Sequence, residues 1–121
     1  MISLNVYKLV HILGILLTFT AVGGLSLHAL NGGTKATNAG RRLVTLSFGV
    51  GLFLILLGGF GMLARLGIGL PAWIWVKIAI WLSIGGLLAV PYRKPELARA
   101  VWLGSVALGI VAAWIGLYKP F

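Results

Sequence analysis

His11 and His28 are the only histidines of this 121-residue chain, and both lie in one long apolar stretch. An ionisable group at membrane depth is rare and by default marks a functional site. Imidazole is also the commonest metal ligand and the usual proximal ligand of haem iron. If the stretch is one helix, the seventeen residues from His11 to His28 put the rings ~25 Å apart along the axis. They then lie near opposite membrane surfaces and cannot share one ion within a chain.

Three cations accompany His11. Lys8 precedes it by about one turn, Lys77 lies well inside a later apolar run, and Arg65 ends another. Trp73 and Trp81 stand four residues either side of Lys77, on the same helical face, so cation–π contact with Lys77 is expected. Lys77 has two readings. Its stem can snorkel to the interface, or its ammonium can face the bundle and meet an anion such as a porphyrin propionate. His11 also has two: a ligand, or an interfacial ring bonded to a backbone carbonyl or a headgroup. Gly14, Thr18, Leu25 and Ala29 share its face at 100° per residue, a stripe small enough for a flat macrocycle to lie against. Around His28 the expected neighbours are Arg41, Arg42 and Arg93, which suit a lipid phosphate or one ligand of a second haem and exclude a hard-cation site.

Composition removes most other chemistry. Glu96 is the single acid against ten Lys and Arg, so paired-carboxylate catalysis and carboxylate proton relays are absent. No residue set supports a Ser/His/Asp nucleophile, no phosphate-cradling loop is present, and the chain has no cysteine. A transporter coupled to protons or ions usually needs an intramembrane acid, which is missing here. The chain is 60% hydrophobic and 9% charged, with a mean hydropathy of +1.09, so its solvent is mostly lipid. The net charge of +9 sits mainly where helices end, which points to anionic headgroups and not to nucleic acid.

Four apolar segments position these residues, over about 4–30, 43–65, 72–90 and 96–118, in a single domain. Each is close to the ~20 residues a helix needs to cross the hydrocarbon core. The expected fold is all-α, an antiparallel up-down-up-down bundle of four transmembrane helices joined by short connections. Asn31-Gly32-Gly33-Thr34 stops the first helix, Thr37 or Asn38 caps the second, Gly67 to Pro71 makes a tight turn, and Pro91 ends the third. Pro95-Glu96 opens the fourth, where a missing N–H is harmless and a carboxylate suits the helix dipole. Glycine pairs at 23–24, 58–59 and 85–86, with rows Thr20/Gly24/His28 and Ser105/Gly109/Ala113, predict close helix packing with little room for a pore. Lys35, Arg41, Arg42, Arg93, Lys94 and Arg99 outnumber Lys8, Arg65, Lys77 and Lys119, which places the first and third loops in the cytoplasm and both termini outside.

The segment Tyr7-Lys8-Leu9-Val10-His11-Ile12-Leu13-Gly14 resembles the opening of the first helix in HemJ/CopD/SirB-like membrane proteins, where a K-x-x-H motif stands. Trp73-Ile74-Trp75-Val76-Lys77 is similar to their W-x-x-x-K motif, and Arg41-Arg42-Leu43 before a Gly-rich second helix is also similar. The ending from Trp114 to Phe121 looks like that of small bacterial membrane proteins of this type, which implies the bacterial inner membrane. The resemblance implies haem b bound through His11, with Lys77 as its companion. HemJ-type members are protoporphyrinogen oxidases and CopD-type members are implicated in copper import. Copper import normally uses methionine or further histidine ligands, and Met1 and Met62 are the only methionines here.

Two functional expectations follow. One is a membrane protein that binds haem b or another porphyrin on the outer side through His11, with Lys77, Arg65 and Lys8 toward the propionates. The other is a cofactor-free accessory subunit that packs against partner membrane helices or against copies of itself.

Overall fold

The computed structural model describes residues 3–119. Helix α1 spans Leu4–Leu30, α2 Arg41–Leu66, α3 Ala72–Leu87, a one-turn α4 Val90–Arg93, and α5 Ala98–Tyr118 after a 3-10 turn at Pro95–Leu97. With α3 and α4 taken as one span, four helical segments are long and apolar enough to cross a membrane. They form the expected antiparallel all-α bundle, and the chain is an integral membrane protein.

The punctuation follows backbone chemistry. Ser3 caps α1 by accepting from the Val6 N–H at 3.3 Å. At the other end the Gly33 N–H returns to the His28 carbonyl at 2.9 Å, across Gly32 at φ +80°. Gly67, at φ +68°, closes α2. The expected cap of α2 is corrected: its N-cap is Gly40, without a side-chain bond. Asn38 instead accepts from the Gly40 N–H at 3.0 Å and donates its side-chain N–H to the Tyr92 hydroxyl at 2.9 Å, tying two loops together. Pro91 does not end the third span. The helix breaks before it, at Leu88–Ala89, and restarts with Pro91 in the first turn of α4. There its ring has no carbonyl of the preceding turn to strike and its missing N–H is not needed.

Close packing is uneven. Helix α1 lies along α2 and also packs on α5, and α5 packs on α3, whereas α2 and α3 hardly meet backbone to backbone. The α1–α2 contact is made by Gly14, Gly51 and Gly58. A Cβ on Gly51 would reach Gly14 O and Thr18 N at 2.8 Å, and one on Gly58 would reach His11 N at 2.5 Å. Without a hydrophobic force between helices in lipid, such approaches supply the dispersion contacts that hold a pair together. The Thr20/Gly24/His28 row is corrected: Thr20 and Gly24 are exposed, and Gly24 has nothing near it. The buried face of α1 is Gly14, Thr18, Ala21, Val22, Leu25, Ser26 and Ala29, which includes the four residues expected on the His11 face. In the second row Ser105 is buried and Gly109 meets the Phe19 ring, while Ala113 is exposed.

Candidate functional site

Where α2 and α3 stand apart, a cavity of about 440 Å³ opens in the half of the bundle nearer the termini. That is within the usual size of small-molecule sites. On α2 its wall runs from Ile55 to Leu66 and on α3 from Trp73 to Trp81, so it reaches about halfway through and is no pore. Close packing therefore does not extend between α2 and α3 in this half, although α1 and α2 remain in tight contact there at Gly58. Apolar residues make most of the wall, and the polar groups are Lys8, His11, Lys77, Lys119 and the indole of Trp81. The only acid, Glu96, is exposed in the connection before α5, at the opposite end.

His11 is held by α2. Its Nδ1–H donates to the Ile55 carbonyl at 2.8 Å, a bond with the tautomer assigned so that the ring donates to an oxygen that cannot. Nε2 is left with its lone pair. Gly58 and Gly59 make the approach possible: a Cβ on Gly58 would overlap the His11 backbone, and one on Gly59 would sit 3.6 Å from the ring. A histidine that ligates a metal commonly gives its other N–H to a carbonyl in this way, which fixes the ring and raises the ligand's basicity. The same bond is also the plain carbonyl contact that an interfacial histidine makes, so both readings of His11 meet in one geometry.

Lys77 faces the bundle. It is half-buried, borders the cavity, and brings Nζ to 3.0 Å from where a Cβ of Gly116 on α5 would stand. The expected cation over an indole is present with a different partner: the Lys119 Nζ lies 5.5 Å from the centre of the Trp73 ring. Trp81 is turned to α2, where its Nε1–H donates to the Leu52 carbonyl at 3.0 Å. That bond joins α2 to α3 at the deep end of the cavity.

The other sequence candidates separate. Lys8 is exposed and borders the cavity mouth. Arg65 is exposed and outside the cavity wall, so it is not brought to Lys77 and His11. The stripe of Gly14 and Thr18 beside His11 is covered by α2, so no macrocycle lies against that part of the face: a Cβ on Gly14 would reach Ile55 N at 2.5 Å. His28 closes the distant loop, donating from Nε2 to the Thr34 carbonyl at 2.9 Å. Sequence reading passed over Lys119 as a site residue, counting it only toward orientation. Its signal was weak, because only the fold carries the end of α5 back over Trp73.

No group of three or more His, Cys, Asp or Glu side chains suited to a metal ion occurs among the described residues. Ligation by protein here therefore rests on one imidazole. The cavity thus brings apolar walls, one free imidazole nitrogen and three ammonium groups together. Compared with protein-family models, with curated proteins and with solved structures, the chain matches none.

Proposed function

We propose that this chain binds haem b or another porphyrin in the cavity between α2 and α3, with His11 as axial ligand and Lys77 and Lys8 toward the propionates. The observation that carries this reading is the convergence of His11 and Lys77, sixty-six residues apart, on one interior apolar cavity. Both were singled out as the unusual ionisable groups of their spans, and Lys77 has its ammonium inside the bundle. Bound haem would supply one-electron chemistry; the chain's own groups bind and orient it. The Lys and Arg excess places this end of the bundle outside the cytoplasm, in a bacterial inner membrane by the resemblance. Oxidised and reduced absorption spectra of the detergent-solubilised protein, prepared with haem in excess, test the reading. A Soret band shifted or lost in His11→Ala is expected. Its absence from the unaltered protein sinks the proposal, and a band unchanged in His11→Ala removes His11 as ligand.

A second reading, a cofactor-free subunit of a larger membrane assembly, draws on one observation. Gly24, Gly49, Gly86 and Gly104 lie within helices with nothing packed against them, leaving flat spots to which another helix can come close. Co-purification with a larger membrane complex favours it, and a strictly monomeric species counts against it.

A further inference from the structure

We infer that Lys119 is a third cation of this site and makes it selective for amphiphiles that carry two acidic groups over those that carry one. The inference rests on the porphyrin reading for the shape of the ligand, and adds to it the charge that the ligand must bear.

Lys119 is built toward the cavity. It terminates α5 in a left-handed conformation, φ +46° and ψ 60°, with its N–H returned to the Ile115 carbonyl at 2.8 Å. Among the described residues it is the one non-glycine residue at positive φ, a region that L side chains seldom occupy. Its ammonium stands over Trp73, itself a buried wall residue of the cavity.

The charge count does the rest. Lys8, Lys77 and Lys119 come from α1, α3 and the end of α5, and all three border one cavity, with no acidic side chain there. Ammonium groups against a low-dielectric wall are stabilised by anions brought to them, and charge-assisted contacts are about twice as strong as neutral ones. A ligand with one carboxylate leaves two of the three cations without a counter-charge. A ligand with two leaves one. Lys8 and Lys119 are both exposed, but Lys119 is set against the cavity wall, over the Trp73 ring, and Lys8 stands at the mouth. Lys77 and Lys119 are therefore the pair that a dianion engages first, with Lys8 adding to them from the mouth.

The test uses the full chain in an uncharged detergent and three iron-free ligands that share one macrocycle and carry two, one and no acidic groups: protoporphyrin, its monomethyl ester and its dimethyl ester. Binding is read as quenching of tryptophan emission, since Trp73 and Trp81 line the cavity. The diacid is expected to bind about tenfold tighter than the monoester, the equivalent of one charge-assisted contact. Lys119→Gln should bring the diacid down to the monoester while leaving the diester unchanged, and Lys119→Arg should restore the preference. Lys35→Gln, at the opposite end of the bundle, should alter none of the three. Equal affinity for diacid and monoester in the unaltered protein overturns the inference, as does a Lys119→Gln variant that weakens all three ligands alike. Failure of all three to quench overturns the cavity as a porphyrin site altogether. Because no iron is present, the outcome is separate from His11 ligation, which the Soret band reads alone.

Discussion

Three kinds of polar residue on α1 show how differently a membrane interior treats them. His11 is satisfied by a carbonyl of α2, and its second nitrogen keeps its lone pair. His28 is satisfied within its own loop. Thr18 and Ser26 are fully buried with hydroxyls that find no partner. An unmade hydrogen bond in a buried site costs ~1–3 kcal/mol, and replacing the group by an apolar one of the same shape removes that cost. Thr18→Val is therefore expected to leave thermal stability in detergent unchanged or to raise it, by up to about 1 kcal/mol. A drop of several degrees would show that the hydroxyl holds something in place. The residue scale was only partly legible in the sequence. Spacing identified His11 and Lys77 as unusual, because charge stands out against an apolar run. It did not say that the Lys77 stem turns inward, since Lys77 is within snorkelling reach of the interface as well.

Among the helices, the α1–α2 pair is the tight one, and glycine is the reason. The Gly58 Cα stands where any side chain would overlap the backbone of His11. The neighbour there is backbone and not a flexible tip, so the two helices must part. Gly58→Val is expected to destabilise the bundle by ~1–3 kcal/mol, the usual cost of overpacking. It should also lengthen the His11–Ile55 hydrogen bond, which changes the spectrum of any iron bound to that ring. Thermal unfolding in detergent and the Soret position are the two measurements, and a variant normal in both would contradict this account of the pair. The helix ends were legible where turn glycines set them, as at Gly32 and Gly67. Pro91 misled because its ring excludes a helix before it while permitting one after it. Asn38 misled because it engages Tyr92, a partner fifty-four residues away.

For the whole molecule, the division of charge is the governing fact. Six Lys and Arg flank the two loops at one end and four lie toward the termini, where three of them border the cavity. On the positive-inside rule we propose that the larger group lies on the cytoplasmic side, with both termini outside. A reporter that is active only outside the cytoplasm, fused after Phe121, is expected to be active. A cytoplasmic signal would invert the bundle and place the cavity on the inner side.

Taken alone, the sequence determined the solvent, the number of spans, their antiparallel order and the chemistry ruled out. Those properties depend on composition and on residues near one another in the chain: apolar runs of membrane length, turn glycines, a single acid, no cysteine. The tertiary structure decided which glycines pack and which lie open, and that α2 and α3 stand apart around a cavity. It also decided that Lys119 borders that cavity and Arg65 does not. The physical reason is that most residues in these helices are apolar enough to face either lipid or a neighbour. The usual hydrophobic stripe is missing, and only the way backbones fit together chooses which face turns inward.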